Sequence, residues 1–162
     1  MTLDPGDEKV LADIAKHGFH ALHILAEGDE PAFMFSIGFT ETLNVPEVVI
    51  FGLKRELMHN MLWETFRQLQ ADKVMTDGQH RTGLIEGFDC IARPVDPSWN
   101  LEYLGTAIWH ARYRTGSDAV SAFQIFWPGA QQGLFPWEAG CPPFVISLRI
   151  ERTRCRGKEV GR

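Results

Sequence analysis

Ala32-Phe33-Met34-Phe35-Ser36-Ile37-Gly38 and Val48-Val49-Ile50-Phe51-Gly52 are two short apolar runs, and Leu57, Met58, Met61, Leu62, Thr65, Phe66 and Leu69 follow them. Both runs are short, rich in aromatic or β-branched residues and closed by glycine, so they read as buried strands. The residues after them recur every three or four positions, which marks one face of an amphipathic helix. That stripe has to lie across a sheet to leave water. Between the two strands, Phe39 to Pro46 reads as a loop holding Thr40, Glu41, Thr42 and Asn44.

Toward the N-terminus, Asp7 to His17 puts Val10, Leu11, Ile14 and Ala15 on one helical stripe, with Asp7 and Glu8 at its start and Gly18 as its stop. Phe19 to Ala26 reads as a strand, and Glu27-Gly28-Asp29-Glu30-Pro31 as the turn after it. Three successive strands with short connections pair antiparallel. Toward the C-terminus, Lys73 to Gly83 is polar and reads as a connecting loop or weak hairpin. Phe88 to Val95 alternates as a strand, and Ser98 to Tyr113 forms a helix burying Leu101, Leu104, Ile108 and Ala111. Ala122 to Trp127 is the last clear strand, followed by an irregular stretch to Pro143 and by Phe144 to Ile150 as a terminal edge strand or docked arm. The sum is an α+β chain: a mostly antiparallel sheet of about five or six strands packed against two or three helices.

A length of 162 residues suits one domain, assigned here to residues 1–148, with 149–162 as a flexible basic tail. Residues 1–148 carry ten basic and nineteen acidic side chains, whereas the tail carries six basic and two acidic. An acidic body repels phosphate backbones, so nucleic acid is not an expected partner. No run of about 18 uncharged apolar residues offers a membrane span. Cys90, Cys141 and Cys155 are odd in number and far apart, giving neither a disulfide framework nor a zinc pattern. The expected compartment is the cytoplasm.

Several separated segments resemble one family. They are Phe35-Ser36-Ile37-Gly38-Phe39-Thr40-Glu41-Thr42 followed by Pro46-Glu47-Val48-Val49-Ile50-Phe51-Gly52-Leu53, then Arg93-Pro94-Val95-Asp96-Pro97-Ser98-Trp99. His17-Gly18-Phe19, Tyr103-Leu104-Gly105, Gln124-Ile125-Phe126-Trp127-Pro128 and Phe135-Pro136-Trp137-Glu138 add to the match. Together they look like the signature of the bacterial domain of unknown function 4262, over most of residues 10–140. Phe19 replaces an expected Trp, and Ser36 and Phe39 replace an expected Thr and Leu. The resemblance implies no activity, because the family has none to carry over.

Six residues are candidate ligand contacts: His17, Thr40, Glu41, Arg93, Trp127 and Trp137. Thr40 and Glu41 follow a rigid strand and Gly38, so a hydroxyl and a carboxylate can face a pocket there. The competing reading has Thr40 and Thr42 tying down a turn. Arg93 places a planar cationic fork in mid-strand, suited to a bound anion or to an internal partner such as Glu41, Glu47 or Asp96. Trp127 and Trp137 bound a segment that joins rings to Gln124, Gln131, Gln132 and Glu138. Such a segment suits stacking on a ligand or pinning a loop over the core. His17, His20 and His23 do not make a metal site, since Gly18 breaks the helix and structural zinc wants four converging ligands. His59, His80 and His110 are scattered.

No phosphate-binding glycine loop, G-x-S-x-G elbow or H-E-x-x-H motif occurs, and the sequence assigns no cofactor. The first reading is a binding domain for a small molecule or peptide, with a pocket near Thr40–Glu47 and the Trp127–Trp137 loop. The alternative is an enzyme of unknown reaction, because the strand-turn-strand-helix order resembles the opening of flavin-binding split barrels. A flavin, however, needs basic residues around its phosphate, and no such cluster stands out. The third reading is an interaction or regulatory protein, with self-association through an edge strand as one route.

Overall fold

The computed structural model describes residues 3–28 and 30–127, together with the backbone of Ile146–Ser147 and Thr153–Arg154. Helix α1 (Pro5–His17) opens at Asp4, whose carboxylate accepts from the Asp7 backbone in a reciprocal capping box, and it closes at Gly18 in the left-handed region. Strands β1 (His20–Ile24), β2 (Phe33–Ile37) and β3 (Glu47–Phe51) follow, with a short helix α2 (Phe39–Leu43) between β2 and β3. Helix α3 (Arg55–Asp72) leads to the hairpin of β4 (Gln79–Ile85) and β5 (Phe88–Pro94). A 3₁₀ turn at Pro97–Trp99, helices α4 (Asn100–Tyr103) and α5 (Gly105–Thr115), and strand β6 (Ala122–Phe126) complete the main body.

The six strands form one sheet in the order β1-β2-β3-β6-β5-β4. Every pair is antiparallel except β3 with β6, which run parallel through Glu47↔Ala122, Val48↔Phe123 and Val49↔Gln124. The fold is thus α+β with a mostly antiparallel sheet. β1 and β4 are its edges, so the sheet is open, and its topology does not carry the likeness to a split barrel.

Helices cover both faces. Successive strand residues point to opposite sides, and β2 and β3 are buried along their whole lengths, which is why both read as unbroken apolar runs. Met34, Val48 and Ile50 pack with Met58, Met61, Leu62, Phe66 and Leu69 of α3. Phe33, Phe35, Ile37, Val49 and Phe51 pack with Val10 and Ile14 of α1, with Tyr103 of α4, with Ala107 of α5 and with Leu104 between those two helices. Each such side chain contributes roughly 1.5–3 kcal/mol on leaving water, so the α3 stripe alone accounts for a large part of the stability. Cys90 is fully buried in the α3 core. Burial pushes its thiol up to about 12, which leaves it unreactive.

Four sequence expectations are corrected. Phe39 to Leu43 is a helix rather than part of a loop. Gln79 to Ile85 is a full strand, paired to β5 with an irregularity between Arg81 and Ile85. The expected helix from Ser98 to Tyr113 is broken at Leu104 (φ −120°, ψ 36°). That break turns Leu101 out to 79% exposure, where a continuous helix would bury it. Finally, Ile146–Ser147 pairs with Thr153–Arg154 in a separate ladder rather than along the sheet edge. The remainder of residues 149–162 lies outside the described residues, as does Trp137. Among the described residues no helix is long and apolar enough to cross a membrane.

Candidate functional site

The site is built on α2, the five-residue helix between two central strands. Its chain reversal needs Gly38, which sits at φ 117°. A Cβ there would also lie 3.0 Å from the Gly18 carbonyl oxygen and 3.0 Å from Ile14. At this end of the sheet β2 and β3 part: their paired register runs from Phe33↔Phe51 to Phe35↔Val49. Beyond it the Ser36 hydroxyl oxygen accepts from the Val48 backbone at 3.0 Å. The Glu47 carboxylate fills the gap. Its Oε1 accepts from Ser36 Oγ (2.8 Å) and Phe39 N (3.0 Å), and its Oε2 from Gly38 N (3.3 Å) and Thr40 N (3.0 Å). These backbone donors are the ones a helix start leaves open, so a residue eight positions downstream caps α2 from below. Burial pushes the Glu47 carboxyl above its ordinary range, and the hydrogen bonds from Thr40, Ser36 and Phe39 pull against that rise.

The two threonines tie α2 down. Thr40 donates its hydroxyl to the Val45 carbonyl at 2.9 Å, and Thr42 donates to the Gly18 carbonyl at 2.6 Å. Asn44 ends the helix in the left-handed region at φ 57°.

On the outer side of α2 lies a cleft of about 310 Å³ against α5. Thr40, Asn44, Val45, Pro46 and Glu47 form one wall, Ala107, His110, Ala111 and Arg114 the other, and Ala119, Val120 and Ser121 the end before β6. Small residues on α5 leave the hollow open. His110 is 5% exposed, and its Nε2 stands 3.0 Å from Glu41 Oε1, whose side chain is 43% exposed. Burial lowers the proton affinity of His110 below the ordinary imidazole range, Glu41 opposes that shift, and Arg114 adds to it. Arg112 is paired with Asp118 at 3.2 Å, whereas Arg114 has no ion-pair partner among the described residues.

The six candidate contacts do not meet in one place. Thr40 lines the cleft and Glu41 joins it through His110. His17 lies in a different hollow of about 290 Å³, its ring edge-on to Trp63 with centroids 5.7 Å apart. Arg93 pairs with Asp77 at 3.3 Å, not with Glu41, Glu47 or Asp96. The reason is that Glu47 is occupied by α2 and the Asp96 carboxylate accepts from Ser98 N. Trp127 is buried, and its indole N–H donates to the Phe51 carbonyl at 2.8 Å. His20 binds Asp13 at 2.7 Å, and among the described residues no three His, Cys, Asp or Glu side chains are placed to hold a metal ion.

His110, Arg114 and Ser121 were not legible as a site in the sequence. The signal that finds the first two is Ala107, His110, Ala111 and Arg114 at helical spacing, where polar residues alternate with alanines too small to fill the space beside them.

A family model described as Domain of unknown function (DUF4262) matches residues 13–142, and the chain belongs to that family. No curated protein and no solved structure matches the chain.

Proposed function

We propose that this family member is a binding domain whose site is the cleft between α2 and α5, and that it takes a small molecule or the end of a peptide. The observation that carries this reading is a hollow in which charged and polar groups retain unused bonding capacity around an apolar floor. Arg114 is unpaired among the described residues, Glu41 offers only one oxygen to His110, and Ala107, Ala111, Val45 and Val120 provide the apolar surface. Ligand sites commonly have this composition, and about 310 Å³ lies at the small end of their usual range, roughly 300–1,000 Å³. The test is a thermal-shift screen of metabolites and short peptides against the protein and Ser121→Trp. Ser121 is exposed and lines the cleft, so tryptophan there obstructs the hollow without disturbing the core. A hit that raises Tm in the parent and not in Ser121→Trp supports the site. Equal responses in both proteins, or no hit at all, count against it.

The Glu41–His110 pair favours one second reading. A buried imidazole whose proton affinity burial lowers, held against a carboxylate, is the arrangement of a general base. Under this reading a cleft ligand is turned over, and His110→Gln abolishes turnover while leaving binding measurable.

The buried free thiol of Cys90 fits a reducing compartment. On that ground we place the protein in the cytoplasm, and cell fractionation showing it elsewhere would refute the placement.

A further inference from the structure

We infer that the cleft binds an anionic group on Arg114 and that this binding draws a proton onto His110, an inference that rests on the cleft being a binding site. Arg114 and His110 lie four residues apart on α5, on the face that lines the hollow. The neighbouring Arg112 is occupied by Asp118, so Arg114 is the guanidinium left for a ligand among the residues lining the cleft. Its planar fork suits a carboxylate or a phosphate-type oxoanion.

The charged groups facing His110 are few. From α2 comes Glu41 at 3.0 Å, from β3 the buried Glu47, and from α5 Arg114 itself. Ala119, Val120 and Ser121, leading into β6, bring no charge. Glu47 is committed to four donors beneath α2. Burial and the Arg114 charge both disfavour a proton on His110, and Glu41 favours one. An anion seated on Arg114 cancels the repulsion from that side and adds attraction. The proton it recruits offsets one unit of the negative charge it brings. By thermodynamic reciprocity, protonating His110 tightens the anion equally. Affinity therefore rises as pH falls through the interval between the free and bound titration points of His110.

The experiment titrates the full chain with benzoate and, separately, with sulfate from pH 5.5 to 8, where neither probe changes charge. Calorimetry reads the affinity, and ring resonances of His110 read its protonation. Benzoate represents a carboxylate on an apolar body, and sulfate represents a bare oxoanion. The expected result is that at least one probe binds several-fold tighter at pH 5.5 than at pH 8, below the limit of about tenfold per pH unit for one linked proton. Which probe binds tells a carboxylate ligand from an oxoanion. Arg114→Ala should weaken binding at least about tenfold at every pH, since it removes a charge-assisted pair. His110→Gln should flatten the pH profile, removing the gain in affinity between pH 8 and pH 5.5. Should that variant not fold, Glu41→Gln serves in its place. It removes the group that favours the proton and so moves the profile to lower pH.

Failure of both probes to bind, equal binding by Arg114→Ala, or a flat profile in the parent would each overturn the inference. If other compounds shift the Thr40 and Ser121 amide resonances while neither anion does, the cleft reading survives alone. If no compound shifts them, that reading fails as well.

Discussion

Helix α2 has a carboxylate on each side, and the two are in opposite condition. Beneath it, Glu47 accepts four hydrogen bonds at 2.8–3.3 Å and is fully used. On its outer side, Glu41 offers one oxygen to His110 and stays 43% exposed, with Arg114 nearby and unpaired among the described residues. Both regions are polar, and their two carboxylates stand only six positions apart in the chain. The difference shows how to separate a polar group that holds the fold from one that awaits a partner. Saturated groups stabilise, and unsaturated groups beside a hollow are the ones on which the proposed binding rests.

The contrast breaks most readily at Glu47. Glu47→Ala leaves Ser36 and three backbone donors without their acceptor in the interior. The expected loss is about 3–5 kcal/mol, read from urea unfolding. A loss below 1 kcal/mol would remove Glu47 from its assigned role. Gly38→Ala should cost about 1–3 kcal/mol, because its φ of 117° strains any side chain and the new methyl meets the Gly18 carbonyl. Thr42→Ala should cost about 1 kcal/mol through the lost bond to Gly18. Arg114→Ala should change stability by no more than about 0.5 kcal/mol, as an exposed residue without a structural partner. A large loss there would make Arg114 part of the scaffold and erase the distinction.

Titration sharpens the same comparison, because the two groups have opposite signs. His110 has a lowered proton affinity in the fold, so its contribution is present above its ordinary value of 6.5 and is lost as pH falls through the lowered one. Glu47 has a raised value, so its contribution is present below 4.5 and is lost as pH rises through the raised one. Glu47 and His110 therefore tilt the urea midpoints in opposite directions, and the difference between the parent and His110→Gln from pH 5 to 8 isolates the imidazole: relative to the variant, the parent should lose stability on the acid side. No difference between the two proteins would show that His110 does not sense the fold.

The sequence made the sheet and the large helices legible because they rest on local patterns. Phe33 to Ile37, Val48 to Phe51 and the Met58–Leu69 stripe declare their structure by spacing and residue type alone. The site was only half legible. Thr40 and Glu41 drew attention through their place after a glycine-ended strand, and they border the cleft. The helical state of Phe39–Leu43 was hidden, because its cap comes from Glu47 across a turn and not from a local residue. His110 and Arg114 were hidden for a related reason: they acquire meaning only when α5 is laid beside α2. Arg93 and Trp127 show the converse. Each looked unusual along the chain, yet one pairs with Asp77 and the other fills the core.

The parallel seam between β3 and β6 divides the sheet into two antiparallel triplets, 20–51 and 79–126, that meet along three residue pairs. The cleft opens at the head of that seam, where Glu47 N donates to Ser121 O at 2.9 Å. Neither triplet owns a complete set of walls, so a compound lodged there grips both and works as a clasp. Its affinity then reports whether the halves have closed, and a chain cut between them, at Lys73–Gly78, should reassemble more readily with the clasp than without it.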